Sequence, residues 1–320
     1  MRALVVREPG AADRLEPAEL ERPAAGARCV VVRVGAAGVN PVDAGNRADP
    51  SWAGIEAPYV VGYELAGWVD EVGAGVVGFA PGDAVWGLCP VRGTRWGTYA
   101  DYAELREAWV GRRPASIDVV EAAALPLAGS TALQLLDRLA LEQGESVLVH
   151  GASGGVGRLF VQLARLGGLR VVAAASRARH ALLRELGVEL VIDREQDDVV
   201  GAAMSAVGGQ LDAVVDCAGH GLLVPSLLGV REGGSAASIV ELSGDFDEAI
   251  DRNIRLHGVL VRPERATLDG LCEAVERDGL RSVVDAVVGL DAIVDTHRML
   301  DAGDPVGKVV LRLADGDARA

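Results

Sequence analysis

The chain has 320 residues, of which 50% are hydrophobic and 24% are charged, and it carries a net charge of −15. This length and composition predict a globular protein of two domains. The acidic balance argues against binding to nucleic acid or to anionic membranes, because both need a basic surface.

The first ten residues, MRALVVREPG, predict a short strand and a turn rather than a signal peptide, so we expect a cytoplasmic protein. Short strands separated by turn residues continue to about residue 115, for example CVVVRVGAAGV at 29–39. This part predicts an irregular β-rich or α+β domain. The uncharged run at 122–136 is too short and too interrupted to span a bilayer, so we expect no membrane partner.

From about residue 117 the pattern changes to alternating strands and helices. SVLVH at 146–150 predicts a buried strand, and apolar residues at helical spacing follow it in VGRLFVQLARLG. Four more apolar strands alternate with short helices: LRVVAAAS, VELVID, LDAVVDCAG and SAASIVEL. This alternation predicts a doubly wound parallel sheet, so the fold class is α/β with a separate β-rich domain.

The turn between the first of these strands and its helix is rich in glycine. VHGASGGVG at 149–157 places Ala152, Gly154 and Gly157 in the register of a dinucleotide-binding turn. Small residues allow the backbone to approach a pyrophosphate, and the helix N-terminus attracts its negative charge. The alternative is a tight strand–helix turn without a ligand. We assign five residues to cofactor binding: Ala152, Ser153, Gly154, Gly155 and Val156.

The end of the second strand indicates which dinucleotide binds. An NAD site usually has an acidic residue there, whereas this chain has Ser176, Arg177 and Arg179. A hydroxyl and two guanidinium groups suit the 2′-phosphate of NADPH, which we therefore expect as cofactor. The alternative is that the arginines form a solvated helix start. Gly219 and Ser243 end later strands, where open α/β sheets bind ligands, and we assign them to the cofactor as well.

Seven motifs follow one another along the chain: GVNPVD (38–43), VVGYELAGWVDEVG (60–73), PGDAVWG (81–87), GTYADYAEL (97–105), LPLAGSTAL (125–133), GASGGVG (151–157) and GKVVL (307–311). In this order they resemble the medium-chain dehydrogenase/reductase superfamily, specifically its zinc-free quinone oxidoreductase branch. The resemblance covers almost the whole chain.

The resemblance implies a domain arrangement. Residues 1–116 and 259–320 would form a GroES-like catalytic domain. Residues 117–258 would form a Rossmann NADPH-binding domain, with the active-site cleft at the junction. It also implies a homodimer, formed through the edge of the Rossmann sheet near SAASIVEL and RLHGVLV.

The same resemblance bears on metal binding. The zinc branch has a cysteine where Asn40 stands and a histidine where Tyr63 stands, and zinc prefers such ligands. No histidine precedes His150, and Cys29 and Cys89 are not at ligand positions. We therefore expect no metal.

Without zinc, hydrogen bonds must polarise the substrate carbonyl, and the amide of Asn40 is the candidate donor. The alternative is an asparagine that ends a strand before Pro41. Asp43 is either a helix cap or a pocket residue. Two further assignments rest on the resemblance alone: Thr131 near the nicotinamide and Lys308 at the cofactor. Each has a structural alternative, as a hydroxyl bonded within its helix and as a strand-edge lysine.

The sequence offers three candidates for the proton donor. Relatives often have a tyrosine two residues after the aspartate, where this chain has Gly45. Water, Tyr59 or Tyr63 would then supply the proton, although both tyrosines are also typical packing residues. We assign three residues to the substrate: Arg47, Trp52 and Tyr59.

These observations predict an NADPH-dependent, zinc-independent reductase of quinones or α,β-unsaturated carbonyls, with a small hydrophobic substrate. Two alternatives stay open. One is an enoyl-thioester or tailoring reductase of natural-product assembly. The other is a cofactor-binding protein with redox-neutral chemistry or no turnover.

Overall fold

The structure of the protein, a computed structural model, describes residues 1–196, 198–303 and 307–313. Its strands are β1 (Arg2–Val6), β2 (Glu16–Glu19), β3 (Cys29–Val39), β4 (Tyr59–Val60), β5 (Glu64–Val72), β6 (Ala84–Leu88), β7 (Tyr102–Arg106), β8 (Val110–Arg112), β9 (Ser146–His150), β10 (Arg170–Ala175), β11 (Leu190–Asp193), β12 (Leu211–Asp216), β13 (Val230–Ser238), β14 (Arg255–Gly258), β15 (Ala286–Val288) and β16 (Val309–Arg312). Its α-helices are α1 (Pro41–Ala48), α2 (Val119–Ala123), α3 (Pro126–Leu139), α4 (Gly155–Leu166), α5 (His180–Glu185), α6 (Val199–Val207), α7 (Leu223–Ser226), α8 (Asp247–Asp251), α9 (Arg265–Asp278) and α10 (Ile293–Asp301).

The chain divides into two compact units. Unit 1 comprises Met1–Ser130 and the chain from Val261 onward, and unit 2 comprises Thr131–Leu260. The sequence predicts the first boundary at residue 116, earlier than the structure places it. The difference arises because α2 packs on β3 and β5 and therefore belongs to unit 1.

Unit 1 is built from two sheets. The larger has seven strands in the order β15-β16-β3-β5-β6-β8, with β7 pairing with β3, and the smaller has the order β2-β1-β4. The central strand β3 is long and almost entirely buried, as its run of apolar residues predicts. On one side β16 joins it in antiparallel register, with Val309 opposite Val39. Both parts of the discontinuous unit therefore meet in one sheet.

Unit 2 is a single parallel sheet of six strands. Their order is β11-β10-β9-β12-β13-β14, which is the order of a doubly wound sheet. The direction in which successive strands are added to the sheet reverses between β9 and β12. The first strand, β9, is fully buried along its length. The doubly wound prediction is confirmed, although the strand predicted from SAASIVEL ends at Ser238.

No α-helix in the described part of the chain combines the length and apolar composition needed to cross a bilayer.

Candidate active site and dinucleotide site

Asn40 lies between β3 and α1, at the N-cap position of the helix. Pro41 takes the first helical position, where its missing N–H costs no hydrogen bond. The backbone N–H of Asn40 donates to Asp43 Oδ2 over 2.7 Å. The end of β3 is thereby fixed to the first turn of α1, and the position of the Asn40 side chain follows from it.

The Asn40 amide contacts two charged side chains. Its Nδ2 donates to Glu64 Oε1 over 2.7 Å, and Lys308 Nζ donates to Asn40 Oδ1 over 2.8 Å. The Lys308 ammonium also donates to Glu64 Oε1 over 2.5 Å. Asn40 is 6% exposed, Glu64 0% and Lys308 5%, so the group is shielded from water. We call Asn40, Glu64 and Lys308 the Asn40 cluster.

Strand pairing brings the cluster together. Lys308 directly precedes Val309, which pairs with Val39 of β3, and this places the lysine beside Asn40. Glu64 begins β5, the strand on the other side of β3. Its second carboxylate oxygen accepts the backbone N–H of Leu127 over 2.7 Å. Three segments far apart in sequence thus supply one buried polar group.

Gly38 makes room for this arrangement. A Cβ atom there would overlap the Glu64 carboxylate and would lie 2.6 Å from the carbonyl oxygen of Ala123. Any side chain at position 38 must therefore displace Glu64. The GVNPVD motif needs its glycine for space, and not for an unusual backbone angle.

Asp43 lies beneath the cluster and is fully buried. Its Oδ2 accepts the Tyr99 hydroxyl over 2.9 Å as well as the Asn40 N–H, while Oδ1 has no hydrogen-bond partner among the described residues. Burial raises the pKa of Asp43 to about 7, and the two hydrogen bonds only partly oppose that shift. Asp43 is thus both the acid of the helix cap and a buried carboxyl that titrates near neutral pH.

Replacing Asp43 with asparagine should change how stability depends on pH. The raised pKa means that the native state keeps a proton that the unfolded state releases near pH 3.8, so Asp43 lowers stability progressively from about pH 4 to about pH 7. Each pH unit in that window is worth up to about 1.4 kcal/mol. We therefore expect the difference in the free energy of unfolding, wild type minus Asp43→Asn, to fall as the pH rises from about 4 to about 7. Above pH 7 this difference should be constant.

Urea unfolding followed by tryptophan fluorescence measures this difference. The pKa of the buried His297 is lowered to about 4, and its effect has the opposite sign between pH 4 and 6.5. That effect is common to both proteins and cancels in the subtraction. A difference that stays constant between pH 4 and 8 would contradict the shift at Asp43.

Tyr63 and Tyr59 are both fully buried. The Tyr63 hydroxyl accepts the Asn46 side-chain N–H over 2.7 Å, and the Tyr59 hydroxyl donates to the Asn46 carbonyl oxygen over 2.8 Å. Burial raises the pKa of Tyr59 to about 12 and raises that of Tyr63 further. Both hydroxyls therefore hold α1 in place.

The other two predicted substrate residues lie in different environments. Arg47 is fully buried and pairs with Asp301 over 2.5 Å, which links α1 to α10. Trp52 is 44% exposed, with the Arg92 guanidinium 5.8 Å from its ring centroid. Of Arg47, Trp52 and Tyr59, the structure places only Trp52 at the surface, because Arg47 lies on the buried face of α1 and Tyr59 lies in the core on β4.

The glycine-rich turn of unit 2 has the geometry of a phosphate site. Ala152, Ser153 and Gly154 connect β9 to α4, and within the described part of the chain no side chain caps the N-terminus of that helix. Its N–H groups and partial positive charge are suited to a pyrophosphate. A Cβ atom on Gly157 would overlap the carbonyl oxygen of Gly151, so the helix packs against the turn too closely for any side chain. These features fit a dinucleotide.

The end of β10 carries Ser176, followed by a 3₁₀ turn that contains Arg177 and Arg179. Arg177 Nε donates to Asp193 Oδ2 over 2.5 Å. Asp193 ends β11 and pairs in register with Ala175, which brings its carboxylate beside the turn. The sequence prediction did not include Asp193, because the residues after β10 do not show which strand lies beside it. In a parallel sheet, the last residue of the neighbouring strand lies beside the end of β10, and that residue is Asp193.

Each of the remaining cofactor candidates has its own local contacts. Gly219 follows β12 with a φ of +79°, and its N–H donates to Asp216 Oδ1 over 2.9 Å. The Ser243 hydroxyl donates to Glu241 over 3.2 Å in an exposed loop. Thr131 is 5% exposed on α3. Lys308 belongs to the Asn40 cluster in unit 1.

A cavity of about 710 Å³ opens in unit 2 at the carboxyl ends of β9 and β12. At its base His150 Nε2 lies 2.8 Å from Ser226 Oγ, and burial lowers the pKa of that histidine. Met204 and Leu222 supply apolar wall. Much of the remaining lining is charged or polar, for example Arg194, so the cavity combines apolar wall with hydrogen-bonding groups.

The comparisons with known proteins agree with this geometry. Residues 26–115 match the family model for an alcohol dehydrogenase GroES-like domain, and residues 186–311 match that for a zinc-binding dehydrogenase. The 2-methylene-furan-3-one reductase of Solanum lycopersicum is 32% identical over 291 residues, which cover 88% of this chain and 71% of the relative. The protein is a medium-chain dehydrogenase/reductase.

This medium-chain dehydrogenase/reductase is also similar to the NADPH-dependent alkenal/one oxidoreductase, chloroplastic, of Arabidopsis thaliana, at 31% identity over 88% of the chain and 71% of the relative. A solved structure named NAD-dependent alcohol dehydrogenase is 32% identical, with a TM-score of 0.90 over 98% of this chain and 100% of the other. The quinone oxidoreductase from Coxiella burnetii is 28% identical, with a TM-score of 0.88 over 98% and 99%. The predicted superfamily, its quinone-oxidoreductase-like character, and the GroES-like and Rossmann fold are confirmed.

A zinc ion is a common cofactor in this superfamily. The donor groups of this medium-chain dehydrogenase/reductase differ from the Cys and His ligands that zinc prefers. Among residues 1–196, 198–303 and 307–313, no group of three or more His, Cys, Asp or Glu side chains is arranged to hold a metal. In the Asn40 cluster the positive charge is the Lys308 ammonium, 2.8 Å from Asn40 Oδ1. Zinc prefers Cys, His and carboxylate ligands, whereas this cluster offers an amide, an ammonium and one carboxylate already paired with that ammonium, so these residues do not fit zinc.

Proposed function

We propose that the protein is an NADPH-dependent, zinc-independent reductase of quinones or α,β-unsaturated carbonyls. The observation that carries the proposal is the Asn40 cluster, in which a buried amide with one engaged N–H has a second N–H for a substrate oxygen. The names of the alkenal/one oxidoreductase and of the quinone oxidoreductase support the substrate class. The glycine-rich turn at the N-terminus of α4 supports the cofactor.

Bound NADPH would supply a hydride, which carries two electrons, to a conjugated carbon of the substrate. The π electrons of the substrate then shift toward its carbonyl oxygen, where negative charge develops. In our proposal the Asn40 N–H donates to that oxygen, from a side chain that is 6% exposed. A preorganised donor at such a position is typically worth about 10²–10³ in rate.

A proton must then be added to complete the reduction. The Tyr59 and Tyr63 hydroxyls are buried, are bonded within unit 1, and have raised pKa values. We therefore propose that water delivers the proton to the substrate. The product is the saturated carbonyl compound, or the hydroquinone when the substrate is a quinone.

The test is an assay of the purified protein with four substrates. A quinone, an α,β-unsaturated ketone and an enoyl thioester are each supplied with NADPH, and a saturated alcohol is supplied with NADP⁺. The absorbance of NADPH measures each reaction. We expect reduction of the quinone or the ketone, and an unchanged rate after treatment with a zinc chelator. Alcohol oxidation that is lost with the chelator, or one zinc per chain in metal analysis, would overturn the proposal.

A second candidate function has its own support. The CurK enoyl reductase structure is 25% identical, with a TM-score of 0.88 over 98% of this chain and 99% of that one. Preference for the enoyl thioester over the free ketone in the same assay would favour this alternative. Tight NADPH binding without turnover of any substrate would favour redox-neutral chemistry.

The choice of NADPH over NADH rests on Arg177 and Arg179. Replacing both with alanine should raise KM for NADPH far more than KM for NADH, because one charge-assisted hydrogen bond is worth about 1.5–3 kcal/mol. Asp193 partly neutralises Arg177, so Asp193→Asn should strengthen the preference for NADPH. Arg184→Ala removes the same charge from exposed α5 and is the matched control. An unchanged ratio of the two KM values in the double variant would contradict the assignment.

We also propose that the protein forms a homodimer. β14 is the outer strand of the unit 2 sheet, and apolar side chains near it are exposed, among them Leu242 at 46% and Leu260 at 49%. Open strand edges with apolar neighbours favour pairing with a second chain. Sedimentation at twice the 33.2 kDa chain mass would support the dimer. The cytoplasmic location stays a prediction, since one named relative is chloroplastic.

A further inference from the structure

Lys308 is the single lysine among 31 lysine and arginine residues. It is 5% exposed, and its ammonium donates to Asn40 Oδ1 and to Glu64 Oε1. We propose that Lys308 and Glu64 are positioning residues, which fix the orientation of the Asn40 amide so that its nitrogen keeps an N–H for the substrate oxygen. This inference rests on the proposed function and deepens it.

The chemistry of the two neighbours dictates the orientation. A lysine ammonium only donates hydrogen bonds, so the atom of the amide that faces it must be the oxygen. An ionised glutamate only accepts, so the atom that faces it must be the nitrogen. Rotating the amide by half a turn would break both charge-assisted hydrogen bonds. It would also place the amide N–H groups against the ammonium and the amide oxygen against the carboxylate. The reversed orientation is therefore disfavoured by about 10²-fold or more.

The shape of the site explains why a lysine serves here. The ammonium is a compact group with donors in several directions. It bridges Asn40 Oδ1, just after β3, and Glu64 Oε1, at the start of β5. A guanidinium is planar and wider. On the other side Gly38 leaves space only for the Glu64 carboxylate. The cluster is therefore closed around one amide orientation.

A positioning role differs from independent catalysis in a measurable way. Lys308→Met should lower kcat by about 10–10²-fold, since a misplaced donor loses most of its benefit. When Asn40 is already alanine there is no amide left to orient. The same Lys308→Met change should then alter kcat by less than about threefold, because the two residues act through one group.

The experiment is a double-mutant cycle with wild type, Asn40→Ala, Lys308→Met and the double variant, assayed with saturating NADPH and the best substrate of the panel. Urea unfolding followed by tryptophan fluorescence confirms that each variant is folded. Should Lys308→Met alone fail to fold, Lys308→Arg takes its place in the cycle, because it keeps the positive charge beside Glu64 while its planar, wider group does not match the compact ammonium. Independent effects that multiply in the double variant would overturn the inference.

A second measurement does not depend on turnover. Because the chain has one lysine and three asparagines, ¹⁵N labelling of these residue types gives one ammonium signal and three side-chain amide signals. We expect the ammonium signal to shift in Asn40→Ala and one amide signal to shift in Lys308→Met. Absence of both shifts overturns the contact itself. A wild type that reduces no substrate overturns the proposed function and this inference together, whereas an active wild type with multiplying effects overturns this inference alone.

Discussion

Replacing Asn40 with alanine should lower kcat for quinone or enone reduction by about 10²–10³-fold, the usual cost of losing one preorganised donor to a developing oxyanion. The Kd for NADPH should change little, because the dinucleotide residues lie in unit 2 and Asn40 lies in unit 1. Glu64 and Lys308 remain paired with each other in the variant, so the fold of unit 1 should survive. Steady-state kinetics and a fluorescence titration with NADPH measure the two quantities.

Two further variants sharpen this prediction. Asn40→Asp keeps the size of the side chain but removes the donor, and it should be as inactive as the alanine variant. Asp49→Asn alters an exposed polar residue at the other end of α1, and it should retain wild-type kcat. An Asn40→Ala enzyme with kcat within threefold of the wild type would exclude Asn40 as the donor.

Replacing Glu64 with alanine should destabilise unit 1 by about 3–5 kcal/mol. The variant leaves the Lys308 ammonium buried without its counter-charge, and it removes the carboxylate that accepts the Asn40 side-chain N–H and the Leu127 backbone N–H. All five tryptophans lie between residues 52 and 109, so their fluorescence during urea unfolding follows unit 1 selectively.

The matched control is Glu8→Ala. Glu8 pairs with Arg14 at the surface and its side chain is 73% exposed, so its loss should cost no more than about 1 kcal/mol. The double variant Glu64→Gln/Lys308→Met removes both buried charges and should recover part of the lost stability. If Glu64→Ala were as stable as Glu8→Ala, the buried ion pair would not contribute to the stability of unit 1.

The sequence predicts those features that depend on neighbouring residues. The turn between β9 and α4 follows from small residues between a buried strand and an amphipathic helix, and the structure contains both elements where the pattern places them. The long run CVVVRVGAAGV likewise predicts β3 over its full length. These signals are local, because strand and helix periodicity are properties of short segments.

Contacts between distant segments were not predictable in the same way. The family resemblance suggests Lys308 as a cofactor residue. The sequence gives no register between β16 and β3, and that register places the ammonium on Asn40 and Glu64. Asp193 was missed for a similar reason, since its approach to Arg177 depends on which strands are adjacent.

The sequence also does not show which face of a helix points into the core. Arg47 has the composition of an exposed, substrate-facing residue, and charged side chains are rarely buried without a partner. Its partner, Asp301, lies 254 positions away on α10, and no local pattern indicates that the two meet. Tyr59 was similarly ambiguous, because a tyrosine suits a pocket wall and a core equally well.

Asn40 and Lys308 are 268 positions apart, with the whole of unit 2 between them in the chain. During translation, strands β9 to β14 are therefore synthesised before Lys308, the lysine that we propose orients the amide. On the growing chain, the sheet that binds the dinucleotide can form while β3 still lacks β16 as its neighbour. We expect the nascent protein to acquire cofactor binding first and catalytic competence last, so that truncated translation products bind NADPH without consuming it.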